Sequence, residues 1–303
     1  MTAKKTNQKT PKIILGIAPT CWVNEDLPEL GGKISFEQCV SEIALAGFSG
    51  TEVGNKYPRD PKILNKALRL RGLTICSAQF SSFLTTRPYR ETEAEFIECR
   101  DFLNSTGAKV IGVAELGHSI QGRNRPIFGP KPIFNDEEWD KLCDGLNKLG
   151  KLAARKGMAL VYHPQIGTGI QSADEIDRLL ENTEPELIGL LYDTGNLVLA
   201  GEDHLAVLVK WFDRVRHVHL KDMRLSVRRA TKKENWPSLQ AVKAGIFTVP
   251  GDGCIDFRPV FKILKKVKYT GWWVVSAEQD PARANPLEYA IKARSYIHDT
   301  AGI

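Results

Sequence analysis

The feature that most constrains this chain is a repeated alternation: short apolar, β-rich runs followed by longer segments with apolar residues at helical spacing. The strand-like runs are Ile13–Ala18, Gly50–Val53, Leu73–Ala78, Lys109–Ala114, Met158–His163, Leu187–Tyr192, Val215–Leu220 and Trp272–Ala277. Between and after them, Phe36–Ala46, Pro61–Arg71, Glu91–Ser105, Asp136–Arg155, Ala173–Glu181, Leu205–Phe212, Asp256–Val267 and Pro286–His298 read as helices, several stopped by a glycine such as Gly47, Gly72 or Gly157. Eight such alternations predict a parallel sheet closed into a (β/α)8 barrel, of the α/β class. A doubly wound open sheet would carry a glycine-rich phosphate loop after its first strand, and none is present. The length of 303 residues suits one barrel of roughly 250 residues plus loops. The expected organisation is a frayed tail over 1–12 and one catalytic domain over 13–303. Met223–Gly253 breaks the alternation and reads as a long loop over the barrel mouth, with a short helix near Ser238–Ala244.

Bulk properties exclude several classes. A net charge of +6 is dispersed along amphipathic segments, which argues against nucleic acid. No apolar run approaches the roughly 20 residues a membrane helix needs. The six cysteines are widely spaced without a CxxC pair, and the first twelve residues are polar. Reduced thiols in a cytoplasmic protein are therefore expected.

Barrels of this kind carry their chemistry at the C-terminal ends of strands. There the chain places Glu52, the pair Tyr162–His163, the pair Tyr192–Asp193, the run His217–Val218–His219–Leu220–Lys221–Asp222, and Glu278. Taken singly, each has a plain reading: a hydrogen-bonded histidine, a turn-forming or helix-capping aspartate. Imidazoles and carboxylates ending four consecutive strands are another matter, because the barrel brings those ends together. The mix suits one divalent ion, Mn²⁺, Co²⁺, Fe²⁺ or Zn²⁺, and the lack of cysteine argues against a closed structural zinc site. Period-2 alternation puts His217 and His219 on one face, with His219 nearer the mouth and His217 deeper.

The segments TEVG (51–54), LLYDTGN (190–196), RHVHLKD (216–222), FTVPGDGCIDF (247–257) and AEQDPARANPLEYA (277–290), with GIAPTCWVNEDLPELGG (16–32), resemble inosose dehydratase, a member of the xylose-isomerase-like barrel superfamily. The resemblance covers nearly the whole chain. It implies a metal held by His163, Asp193, His219 and Glu278. It also implies the removal of water from 2-keto-myo-inositol (scyllo-inosose), giving a trihydroxycyclohexane-dione, with Mn²⁺ or Co²⁺; glutathione is implied by the family alone. Such an elimination needs a base for the α-proton and an acid for the departing hydroxyl. Glu278, Lys221 and Glu52 are the candidates. Trp22, Gln165, Asn196, Arg224 and Asp252 are expected to contact substrate, and Glu115 stands just past the fourth strand. The chain departs from the dehydratase pattern at Gln165 and Asn196, where histidines are expected, and at Ser276, where a glutamate is expected. Asn and Gln can hydrogen-bond a hydroxyl but cannot exchange a proton near neutral pH. A sugar or inosose isomerase or epimerase on the same scaffold, and a non-catalytic sugar-binding paralogue, are the alternatives; a three-metal endonuclease would need more histidines than the six present. The expected partner is a small polyhydroxylated keto compound, and a homo-oligomer is compatible with the sequence.

Overall fold

The structure is a computed structural model that describes residues 13–24, 27 and 29–303; the tail expected over 1–12 lies outside the described residues. Its strands are β1 (Ile13–Ile17), β2 (Gly50–Glu52), β3 (Thr74–Ser77), β4 (Gln79–Ser82), β5 (Val110–Glu115), β6 (Ala159–Tyr162), β7 (Ile188–Asp193), β8 (Val215–Leu220), β9 (Asp222–Met223), β10 (Phe247–Thr248) and β11 (Gly271–Val275). Its α-helices are α1 (Phe36–Leu45), α2 (Pro61–Arg69), α3 (Tyr89–Thr106), α4 (Asp136–Ala154), α5 (Ala173–Glu181), α6 (Thr194–Ala200), α7 (His204–Trp211), α8 (Leu225–Lys233), α9 (Ser238–Lys243), α10 (Phe257–Lys266) and α11 (Pro286–Ala301).

The main sheet runs β3-β2-β1-β11-β8-β7-β6-β5-β4, with every recorded pairing parallel. Its two ends, β3 and β4, are halves of one run separated by Ala78. β3 pairs with β2 and β4 pairs with β5, so this third run closes the barrel, and eight strand positions result. The break at Ala78 is what the sequence reading of one strand over Leu73–Ala78 did not contain. It lets one run turn between two neighbours.

Helix boundaries follow local chemistry. Asn135 with Glu138, and Ser172 with Glu175, form reciprocal capping boxes at the starts of α4 and α5. α3 and α6 stop at Gly107 and Gly201, both left-handed. The helices bury their apolar faces against the barrel's outer surface; Phe261 of α10, for instance, stacks on Trp273 of β11 at 4.9 Å. Two helices were not anticipated. α6 has only seven residues, too few to show a period. α8 has four basic residues among nine and buries only Thr231, so it has no apolar stripe to read. Over the mouth, β9 and β10 pair antiparallel, and α9 follows the expected position closely. A second small apolar cluster, including Ile120, Ile127, Ile166, Met223, Ile246 and Phe247, glues these mouth segments together.

Candidate metal centre and active-site cavity

Two irregularities of register aim side chains into the mouth. Between β7 and β8 the pairing skips Arg216, which sets Asp193 directly opposite His219. Between β2 and β3 it skips Cys76, which sets Glu52 opposite Ser77. A residue left over in one strand re-aims its neighbours, and such bulges concentrate beside functional sites.

His163, Asp193 and His219 each offer a ligand atom, all within 4.8 Å of one another, and all three residues are buried. His163 Nε2 lies 3.1 Å and His219 Nδ1 3.5 Å from Asp193 Oδ2. Lys221 Nζ lies 3.5 Å from that same oxygen and donates to Glu278 Oε1 at 2.9 Å; Glu278 itself falls outside the clustered ligand atoms and meets the group only through this ammonium. Burial alone would raise the Asp193 carboxyl, but Lys221, His163 and His219 outweigh it and hold it well below the usual range. Burial lowers the His163 imidazole, so it is neutral and able to donate a lone pair. His219 is depressed by burial but raised more strongly by Glu52 and Asp193, to about 9. Lys221 is likewise opposed by burial, yet Asp193 and Glu278 raise it to about 12.

These residues fit a divalent cation. Glu278 Oε2 and His219 Nδ1 are buried with no hydrogen-bond partner, an arrangement that costs free energy unless something completes it. Imidazole and carboxylate donors in this mix suit the first-row divalent ions. With a proton on Nδ1, His163 donates to Gln79 Oε1 at 3.2 Å and leaves Nε2 free for an ion. A second group, Glu52, His217 and His219, also clusters, but Glu52 Oε1 there already accepts from Ser77 at 2.5 Å and from His219 Nε2 at 3.1 Å. The His163–Asp193–His219 side is therefore the one with donor atoms left for an ion.

Around this group opens a cavity of about 250 Å³. Its polar lining includes Glu52, Gln79, Gln165, Asn196, Lys221 and Glu278; its apolar lining includes Ile166, Leu199, Val242, Ile246 and Phe247. Gln165 and Asn196 both reach the ligand group. The Gln165 amide lies 3.0 Å from His163 Nδ1, with its oxygen turned to the ring when that nitrogen carries the proton, and Asn196 Nδ2 donates to Asp193 Oδ2 at 3.1 Å. Ser276 also lines the cavity.

Other expected contacts fall elsewhere. Trp22 is fully buried, and its indole N–H donates to Glu42 Oε2 at 2.6 Å, so it packs under the mouth rather than stacking on a ring. Arg224 and Asp252 are absent from the cavity wall; they pair with each other at 2.7 Å, and Asp252 also takes Lys292 and Thr248. Glu52, expected at the rim as a proton carrier, is only 5% exposed and sits against His219 and Ser77. Glu115 is fully buried and accepts from Ser82, Leu84, Thr85 and Gly117, which makes it a clasp for the loop after β4. Gln79 and Ser77 were not read as site residues from the sequence, because neither residue type marks a site by itself. In the structure Gln79 Oε1 lies 3.2 Å from His163 Nδ1, and Ser77 Oγ lies 3.1 Å from His217 Nε2.

The description of the xylose isomerase-like TIM barrel family matches residues 40–298. The chain is 62% identical to an inosose dehydratase of Geobacillus thermodenitrificans, over 97% of this chain and 99% of that one. It is 60% identical to an inosose dehydratase of Clostridium tetani, over 96% and 98%. Among solved structures, the IOLI protein with a bound zinc atom superposes with a TM-score of 0.71 at 15% identity, covering 95% of this chain and 98% of that one. A D-psicose 3-epimerase superposes with a TM-score of 0.71 at 16% identity, over 96% and 100%; both likenesses concern the fold. No described helix is long and apolar enough to cross a membrane. With full-length identity to the dehydratases and a closed barrel beneath it, the chain belongs to the inosose dehydratase family of xylose isomerase-like TIM barrels, a family of hydro-lyases.

Proposed function

We propose that this protein dehydrates 2-keto-myo-inositol (scyllo-inosose) to a trihydroxycyclohexane-dione in inositol catabolism, with a divalent ion, Mn²⁺ or Co²⁺, held by His163, Asp193, His219 and Glu278. The observation that carries the reading is the 62% identity to an inosose dehydratase over almost the entire chain. Held by these residues, such an ion would supply Lewis-acid polarisation of the substrate's carbonyl.

The remaining work falls to side chains. The carbon between the ketone and the departing hydroxyl must lose its proton, and the hydroxyl must leave protonated, as water; the resulting enol then ketonises to the dione. With Glu278 Oε2 given to the ion, Oε1, held by Lys221 at 2.9 Å, is the oxygen left to accept the α-proton. Lys221 is fully buried and kept charged by its two carboxylates, which leaves a proton in reach of the departing oxygen. Once Glu278 is protonated, that ammonium loses an anionic neighbour and becomes a stronger acid. The two transfers are thereby coupled.

The cavity's mixed polar and apolar lining also supports this substrate. scyllo-Inosose carries its hydroxyls equatorially, so each ring face presents C–H groups. The wall of Ile166, Leu199, Val242, Ile246 and Phe247 can cover such a face while Gln165, Asn196 and Lys221 address the edge. An epimerase is not favoured, because reversible proton exchange at one carbon is served by a carboxylate on each side, and β6 ends in His163 instead. The deciding experiment is turnover of inososes with added Mn²⁺ or Co²⁺, followed by product mass and ultraviolet absorbance. Elimination gives an absorbing dione lighter by one water; recovery of an isomer of unchanged mass would overturn the proposal.

A further inference from the structure

Behind the ligand residues lies a chain of hydrogen bonds that the reaction itself does not use. Ser77 Oγ donates to Glu52 Oε1 at 2.5 Å. With its only proton given, Ser77 Oγ can accept from His217 Nε2, 3.1 Å away. Glu52 Oε1 lies 3.1 Å from His219 Nε2. A carboxylate accepts only, so the proton on His219 belongs on Nε2, and Nδ1 is left facing Asp193 Oδ2 at 3.5 Å. The direction of every bond is thereby set: His217 to Ser77, Ser77 to Glu52, His219 to Glu52. All four residues are buried, and His217, His219 and Ser77 are essentially without exposure. The bulge that sets Glu52 opposite Ser77 builds this contact into the backbone.

We infer that Glu52 is a positioning residue, held by Ser77 and His217, which fixes the tautomer and orientation of His219 so that its Nδ1 faces the metal centre. The inference rests on the metal reading given above. A carboxylate behind a ligating imidazole raises its basicity and holds its ring, and its loss typically costs about 10–100-fold in metal affinity. His217, the deeper histidine of the pair, thereby acquires a task as the anchor of Ser77 rather than as a ligand.

The test uses the full chain, stripped of metal by chelation and titrated with Co²⁺, read by visible absorption and by equilibrium dialysis. We expect Glu52→Ala to weaken Co²⁺ binding by about 10–100-fold and to change the Co²⁺ absorption bands. Glu52→Gln, which still offers an oxygen to His219 Nε2, should lose less. Ser77→Ala, a smaller change that keeps the test open if the Glu52 variants do not fold, should shift the bands with a weaker loss of affinity. Parental affinity and spectrum in a folded Glu52→Ala or in Ser77→Ala would overturn the inference, even with a lowered melting temperature, because that pattern is packing alone. If the unaltered protein itself takes up no Co²⁺, the metal reading fails first and the inference falls with it.

Discussion

Lys221 is the residue on which the charge balance of the site turns. An ammonium is tolerated at 2% exposure only because Glu278 lies at 2.9 Å, Asp193 at 3.5 Å and the face of Phe247 at 4.5 Å. Its backbone is pinned by Thr194, whose hydroxyl donates to Lys221 O at 2.7 Å and accepts from Lys221 N at 3.0 Å. Lys221→Ala should therefore lower kcat by about 10²–10⁴-fold, the usual contribution of a positioned proton donor, while the metal ligands stay in place. Steady-state kinetics beside metal analysis of the same sample checks this; kcat within a few-fold of parent would remove Lys221 from the mechanism. Lys221 was legible in the sequence because it follows His219 by two residues, on the same face of the run. Glu115 was not: a glutamate past a strand end looks like a loop residue, and only the fold shows the donors converging on it. Glu115→Ala leaves those donors unmatched and should cost about 2–4 kcal/mol in urea unfolding, with turnover per folded molecule preserved.

At the scale of elements, the segment from Asp222 to Ile255 is a strap drawn across the mouth. Asp222 gathers four backbone N–H groups, from Met223, Gly251, Gly253 and Ile255, and Gly253 is required because a Cβ there would stand 2.2 Å from the Asp222 carboxylate. The far end is tied by Asp252 to Arg224, Thr248 and Lys292 of α11. Burial would raise the Asp252 carboxyl, but bonds from Lys292, Thr248 and Arg224 hold it below its ordinary value. With the folded value depressed, the stabilisation is present above about pH 4, the unfolded carboxylate range, and is lost as pH falls through the folded value. Protection factors in 245–254, which divide out the intrinsic slowing of amide exchange in acid, should therefore be high at neutral pH and fall below about pH 4; Asp252→Asn should lower them at neutral pH, and an unchanged pattern would refute the strap. On α6 the DTGN turn does more than cap a helix. A Cβ on Gly195 would meet Lys221 Cγ at 2.5 Å, so Gly195→Ala should push that side chain aside and reduce kcat by about tenfold or more, read against circular dichroism that confirms the fold. The sequence marked this turn through Asp193 but not the helix it begins, because seven residues show no period. It marked the strap only as a loop, because its order comes from charges and backbone amides rather than from an apolar pattern.

For the whole molecule, the eightfold alternation was enough to predict a closed barrel, since each apolar run must be covered on both faces and parallel neighbours need helical crossovers. Closure through a third run split at Ala78 was not legible, because a change of partner within one strand leaves the apolar pattern intact. Closure is also what brings His163, Asp193 and His219, from three different strands, within 4.8 Å of one another. An unfolded chain holds these groups far apart and has little affinity, so an ion bound by the folded barrel adds to its stability in proportion to the logarithm of its concentration. At a Co²⁺ or Mn²⁺ concentration of about 100 times Kd the gain is about 2.7 kcal/mol. For a chain of this size that corresponds to a rise in Tm of about 4–6 °C. Thermal unfolding of chelated and reloaded protein measures it. The rise should continue with each tenfold step in ion and vanish in the double variant Asp193→Ala, His163→Ala. An unchanged Tm across that range, with the ion demonstrably bound, would mean that the ion sits on a surface the unfolded chain offers equally, and not in the barrel mouth.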